Sequence, residues 1–292
     1  VTDEATSAAG DRAPGGEPGS GRRILIIRPS ALGDVSRTVP ALVTLRRAYP
    51  DAQIDWLVSH AFADAIAHHP SLSTVLRYDR HWIRKVLSRE APLSHGYSFS
   101  NRLRTNRYDV VYDLQGLFRS GLFTWLTRSK RRVGFGDARE AAWLGYNVRH
   151  RVPPEVRHTV DRTLALLELD GLEPVRDLRL YLGPEEDAWL GAFLESHSLV
   201  PGAYVCVAPT ARWGSKCWPK ERYAEVIRRL LAAPPPGVAD KLVLIASPAE
   251  AAQVRAPGQG PGERLAGVLG VHRQPGEPAE VRAAEHRREA PA

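Results

Sequence analysis

The chain has 292 residues, with 40 Lys and Arg against 33 Asp and Glu for a formal net charge of +7. A pI of about 9.6 points to an anionic partner, whether nucleic acid, a membrane surface or a phosphorylated substrate, and does not choose among them. With 43% hydrophobic and 25% charged residues the composition is that of a soluble globular protein, and no apolar run approaches the roughly 18 residues of a membrane span. Residues 1–21 are acidic, rich in Gly and Pro and lack an apolar core; they read as a disordered tail, not a signal peptide. Cys206 and Cys217 have no metal-type spacing, and reduced thiols in a cytoplasmic protein are the expectation.

In chain order, Arg23–Arg28 is a short apolar run, the pattern of a parallel strand covered on both faces. Pro29–Asp34 breaks it, with Gly33 allowing a sharp turn. Val39, Leu42 and Leu45 then follow at helical spacing. Gln53–Val58 is a second strand, His60–His68 a short helix and Thr74–Tyr78 a third strand. Asp79–Thr105 is basic and irregular, with helix expected around Trp82–Ser88. Tyr108–Leu114 is a strand that turns at Gln115-Gly116 into a helix, Leu117–Thr127. Arg132–Phe135 is another strand, and Thr159–Leu169 a helix closed by Gly171.

A second α/β region follows the same pattern. Glu185–Glu195 is helical, Tyr204–Val207 a strand, Pro209–Pro219 a loop, Lys220–Ala232 an amphipathic helix and Lys241–Ala246 a strand. Strands alternating with helices predict doubly wound parallel sheets, with ligands at the carboxyl edges of the strands. The expected organisation is a disordered tail over 1–21, a Rossmann-like domain over 22–178, a partial second one over 179–253 and a low-complexity, disordered tail over 254–292.

Chemistry concentrates at the strand ends. Asp34 sits in the loop or at a helix start, where a carboxylate can cap free backbone N–H groups. Pro209–Trp218 lies between a strand and a helix, where N–H groups and the helix N-terminus favour phosphate; Arg212 and Lys216 add positive charge. A solvated basic loop is the competing reading. Asp113, Gln115 and Gly116 occupy another strand end. There Asp113 is either a turn cap or a ligand contact, and Arg119 on the following helix can take a phosphate or carboxylate in a bidentate way. Arg80, Arg84 and Lys85 share one face if their stretch is helical, as an anion site or as solvated surface. His158 reads as a satisfied structural residue. Glu250 can hydrogen-bond ribose hydroxyls or simply face solvent.

The opening segment resembles a family. Ser30, Leu32, Gly33, Asp34 and Val35, followed by Thr38, Pro40, Ala41 and Leu42, look like the S-x-L-G-D-V and T-x-P-A-L elements of the glycosyltransferase family 9 heptosyltransferases. Arg212, Trp213, Lys216, Trp218 and Pro219 resemble the family's R-W-x-x-K-x-W-P stretch. Asp113–Gly116 resembles its D-L-Q-G element, His158 with Asp161 its H-x-x-D element, and Lys241–Glu250 the strand and turn that contact the donor's adenosine. The resemblance implies a GT-B fold of two Rossmann-like domains and an inverting transfer of heptose from ADP-heptose to the Kdo/heptose inner core of lipopolysaccharide. Asp34 would be the general base. Gly33, Thr210, Arg212, Ser215, Lys216 and Glu250 would bind the donor. Ser30, Arg80, Arg84, Lys85, Asp113, Gln115, Gly116, Arg119 and His158 would bind the acceptor.

The resemblance further implies no metal and no cofactor, since no D-x-D-like pair sits where a cation bridge to the diphosphate is expected. The partners would be ADP-heptose and a Kdo–lipid A acceptor, with no nucleic acid. The location would be cytoplasmic and peripheral to the inner membrane. Two alternatives stand beside this: a family 9 transferase using another nucleotide-sugar, and a non-catalytic basic protein that binds nucleic acid or anionic lipid. The likeness stops near Gln253. From Arg255 to Ala292 there is no Ile, Phe, Tyr or Trp. This predicts a second domain cut short by truncation or a frameshift, with a sheet ending early at an exposed edge and catalysis by this chain left open.

Overall fold

A computed structural model describes residues 21–79, 94–211, 214–237, 241–246 and 265–269. The chain divides into two compact units, 1–183 and 184–292.

The first unit is built on six parallel strands in the order β3-β2-β1-β4-β5-β6. They are β1 (Arg23–Ile27), β2 (Gln53–Ser59), β3 (Thr74–Tyr78), β4 (Val110–Asp113), β5 (Arg131–Phe135) and β6 (Val148–His150). Between β1 and β2 lie α1 (Leu32–Ser36) and α2 (Val39–Ala48); α3 (Ser94–Thr105) precedes β4, α4 (Phe118–Leu126) precedes β5, and α5 (Thr159–Leu169) follows β6. The continuous apolar run of β1 is explained by its place in the middle of this sheet. Ile24 and Ile26 point to one face, where they pack with Leu42, Leu45, Trp56 and Leu166. Leu25 and Ile27 point to the other, against Leu57, Leu103, Val111 and Phe123. All four are fully buried, so each face of the central strand is covered by helices.

A buried polar node docks the last strands. Asp170, at the end of α5, accepts from Tyr112 Oη at 2.8 Å and pairs with Arg131 and with His150 Nε2 at 2.7 Å, tying β4, β5 and β6 together. Burial beside Asp170 pushes the Tyr112 phenol well above its ordinary pKa, so it stays a donor.

Helix α4 carries a close approach on its other side. A Cβ at Gly145 would lie 2.1 Å from the carbonyl oxygen of Gly121, and one at Gly121 would lie 2.5 Å from that of Ala142. The 3-10 turn Ala142–Gly145 therefore presses directly on the α4 backbone. Gly145→Ala is expected to cost about 2 kcal/mol of stability, because backbone must shift to admit the methyl group; urea unfolding monitored by circular dichroism checks this.

The second unit has three parallel strands among its described residues, ordered β7 (Val205–Val207), β8 (Leu242–Ile245) and β9 (Leu265–Leu269). Helix α6 (Pro184–Ser196) precedes β7, and α7 (Lys220–Ala232) crosses from β7 to β8. Leu242, Val243 and Leu244 of β8 are buried.

Several expectations are corrected. The sheet of the second unit does not end at β8: β9 pairs with it in parallel, Leu242 opposite Leu265 and Ile245 opposite Leu269. Averaging composition over the polar C-terminal stretch hid the short run LAGVL. The short helix expected over 60–68 is a 3-10 helix that ends at Ala65. The region read as irregular before β4 contains α3, whose Phe99 and Leu103 sit one turn apart on the buried side. The helix expected at 82–88 lies outside the described residues. The division falls after Gly183, where the sequence placed it after Leu178. Residues 175–181 are held to the first unit by Val175 N–H donating to Thr44 Oγ1 at 2.9 Å and by Tyr181 packing edge-on against His69.

Candidate functional site

The strand order fixes where the first unit can bind a ligand. From β1 the chain moves to β2 on one side; from β4 it moves to β5 on the other. The neighbouring carboxyl ends of β1 and β4 are therefore a topological switch point, the place where open α/β sheets form a ligand crevice. Asp34 lies in the first loop, and Asp113, Gln115 and Gly116 lie in the second.

Arg28, which the sequence reading did not single out, joins the two. It follows β1 directly and is 8% exposed. Its Nη1 donates to the carbonyl oxygen of Leu114, just past β4. Its Nη2 lies 3.4 Å from Asp34 Oδ1. Burial lowers the guanidinium pKa, while Asp34 and Asp113 pull it back up. The signal was present in the sequence: a cation closing an apolar parallel strand lands at the ligand edge of the sheet. The Ser30 N–H adds a second bridge, donating to Gln115 Oε1 at 3.3 Å.

Asp34 sits in the first turn of α1, where Ala31 holds the cap position and makes no side-chain cap. The capping reading of Asp34 is thus overturned: its carboxylate turns to Arg28 and remains 36% exposed. Gly33 has helical backbone, and a Cβ there would meet nothing within 4 Å, so it is not the turn residue the sequence implied.

Asp113 is fully buried. Its Oδ1 accepts from the Gln115 and Gly116 N–H groups at 2.9 and 3.1 Å, and its Oδ2 accepts from Tyr146 Oη at 2.6 Å. Burial raises the Asp113 pKa, against the lowering effect of these donors and of Ser120. The expectation that Asp113 contacts the acceptor is corrected: its carboxylate is enclosed and shapes the loop. Gly116 takes φ +70°, a conformation that favours glycine. Arg119 is exposed on the first turn of α4, with Nη1 donating to Tyr78 Oη at 2.8 Å. His158 is exposed at the start of α5, and its Nδ1 lies 3.7 Å from Asp161 Oδ2. Arg162, on the same helix, pairs with Asp137 and lies over the Phe135 ring at 4.7 Å.

In the second unit, Thr210, Ser215 and Lys216 lie between β7 and α7, at the carboxyl end of the parallel sheet. Gly214–Lys216 is a 3-10 turn closed by Cys217 N–H donating to the Gly214 carbonyl at 3.0 Å. Ser215 and Lys216 are exposed there, and Trp218 packs edge-on against Tyr223 of α7 at 5.2 Å. Arg80, Arg84, Lys85, Arg212 and Glu250 lie outside the described residues. Among the described residues no three His, Cys, Asp or Glu side chains gather as a metal site, and no helix is long and apolar enough to cross a membrane.

Two α/β units, each with polar loops at the carboxyl edge of a parallel sheet, define a fold of the GT-B class. The chain belongs to glycosyltransferase family 9 (heptosyltransferase), whose profile matches residues 97–258. It is 34% identical over 220 residues to lipopolysaccharide heptosyltransferase 1 of Pseudomonas aeruginosa, covering 71% of this chain and 58% of that protein. It is 30% identical over 216 residues to lipopolysaccharide heptosyltransferase 1 of Escherichia coli K12, covering 70% and 63%. The chain thus spans about three fifths of these relatives. Its structure is similar to that of E. coli heptosyltransferase WaaC with ADP-2-deoxy-2-fluoro heptose, at a TM-score of 0.62 and 28% identity, covering 79% of this chain and 71% of that one.

Proposed function

We propose that the chain is an inverting, metal-independent heptosyltransferase that moves heptose from ADP-heptose onto the Kdo/heptose inner core of lipopolysaccharide, working at the cytoplasmic face of the inner membrane. The observation that carries this reading is Asp34: a partly exposed carboxylate beside the β1/β4 crevice, held by a buried arginine, in a chain of this family. Support for the donor comes from the solved relative, which holds an ADP-heptose analogue.

In this mechanism the Asp34 carboxylate takes the proton of an acceptor hydroxyl as its oxygen attacks the anomeric carbon. The bond from that carbon to the diphosphate breaks, and ADP departs with the electron pair. Attack opposite the leaving group inverts the anomeric centre. Lys216, Arg212 and the N-terminus of α7 stabilise the charge that develops on the leaving diphosphate, the task a metal performs in other transferases. Thr210, Ser215 and Glu250 complete donor binding. Arg28 and Asp113 are positioning residues: one orients Asp34, the other shapes the Gln115-Gly116 loop. The remaining acceptor contacts fall to Ser30, Gln115, Arg119, His158 and the basic stretch with Arg80, Arg84 and Lys85.

The test is calorimetric titration of the 292-residue chain with ADP. Saturable binding is expected, weakened about tenfold in Lys216→Ala by loss of one charge-assisted phosphate contact. A folded sample that does not bind ADP would overturn the donor assignment.

A further inference from the structure

Helix α4 carries an apolar stripe that no described residue covers. Phe118, Leu122 and Trp125 fall at i, i+4 and i+7, on one side of the helix, and are 57%, 40% and 53% exposed. Phe123 and Thr124, on the opposite side, are buried. The stripe does not stand alone. The 3-10 turn pressed against Gly121 brings Trp143 and Leu144 beside α4, and they are 39% and 62% exposed. Five large apolar side chains therefore lie uncovered on two adjoining segments, the arrangement that marks an interaction surface.

The charge around them selects the partner. Residues 117–151 hold eight Lys and Arg (Arg119, Arg128, Lys130, Arg131, Arg132, Arg139, Arg149 and Arg151) and two acidic residues (Asp137 and Glu140). Arg131 is taken up by the buried Asp170, so the positive charge offered to a partner comes from the exposed side chains of the segment. Arg128, Lys130, Arg139 and Arg149 are exposed, and the Arg149 guanidinium sits over the Trp143 ring at 4.9 Å. Aromatic rings with a cationic rim match the boundary between lipid headgroups and acyl chains. Trp and Phe enter the acyl edge there, while Arg and Lys meet phosphate. A second copy of this chain would bring the same excess of positive charge against itself, which is unfavourable.

We propose that the face formed by Phe118, Leu122, Trp125, Trp143 and Leu144 docks the protein on an anionic lipid bilayer. This deepens the reading of a peripheral enzyme and rests on it. Phe118 lies two residues after Gly116, so docking by this face would bring the β1/β4 crevice to the lipid surface, where a lipid-anchored acceptor is held.

The experiment is co-sedimentation of the full chain with phosphatidylglycerol/phosphatidylcholine vesicles and with phosphatidylcholine vesicles alone, at low and high salt. Wild type is expected to bind the anionic vesicles and to be released by salt. The variant Phe118→Ser/Leu122→Ser/Trp125→Ser is expected to bind at least about tenfold more weakly, with unchanged circular dichroism, because its three changes are at exposed positions. Should that variant misfold, Arg128→Glu/Lys130→Glu serves in its place and is expected to lose binding by a similar factor. Anionic-vesicle binding by wild type that both variants retain in full would overturn this face as the docking surface while leaving peripheral association intact. No vesicle binding by wild type would overturn both. A wild-type dimer that the triple variant loses would assign the face to self-association and overturn the lipid proposal.

Discussion

Replacing Asp34 with Ala is expected to lower turnover by about 10²–10⁴-fold while leaving ADP-heptose affinity within about twofold. The asymmetry follows from where the residue stands. Asp34 belongs to the first unit, at the end of β1, and the phosphate-suited turn with Lys216 belongs to the second. In the proposed mechanism, removing Asp34 raises the barrier for the acceptor hydroxyl to attack but strips nothing from the diphosphate. The variant should still fold, since α1 makes no side-chain cap with Asp34 and the Arg28 guanidinium keeps its bond to the Leu114 carbonyl. Product formation by mass spectrometry and ADP-heptose binding by calorimetry separate the two effects. Turnover within about threefold of wild type would remove Asp34 from the chemistry.

Asp113→Ala is expected to destabilise the first unit by about 4 kcal/mol. It leaves the Gln115 and Gly116 N–H groups and the Tyr146 hydroxyl without their acceptor in a buried setting, each a loss of about 1–3 kcal/mol taken singly. Asp113→Asn keeps an acceptor for the two N–H groups and is expected to lose much less. Its pH dependence carries a definite sign. Burial raises the folded-state pKa of Asp113, so folding favours the protonated acid. That contribution is fully present below the unfolded pKa near 3.8 and is lost as pH rises through the folded value. The stability of wild type relative to Asp113→Asn should therefore increase as pH falls from neutral toward that value. Urea unfolding of both proteins across this range checks it; a difference that shrinks with falling pH would contradict the buried-acid assignment.

Most of the first unit was legible because its signals are local. The run Ile24–Ile27 could only be a strand covered on both faces, and Val39, Leu42 and Leu45 place one buried stripe on α2. Helix α5 fell at its observed limits because the apolar spacing of Val160, Leu164 and Leu167 is unbroken. Weaker local signals failed. Helix α3 is rich in Ser, Asn and Arg and owes its place to Phe99 and Leu103, a single pair. β6 is three residues long, and β9 is a short apolar run inside a polar stretch.

At the candidate site the residue types were legible, but their partners were not. Nothing near Arg28 in sequence says that its guanidinium reaches Leu114, 86 residues away. Nor could local spacing reveal that Tyr146 closes the Asp113 carboxylate from solvent. Both facts depend on β1 lying beside β4 and on Tyr146 reaching back over β5, where its ring lies so close to Gly134 that a Cβ there would sit 2.3 Å away.

The most direct measurement incubates the folded 292-residue chain with ADP-heptose and a Kdo–lipid A acceptor and follows ADP release together with the intact mass of the acceptor. Heptose transfer from ADP-heptose requires ADP release that depends on acceptor and an acceptor heavier by one heptose unit. A monodisperse, folded protein that binds ADP yet leaves the acceptor mass unchanged would contradict it.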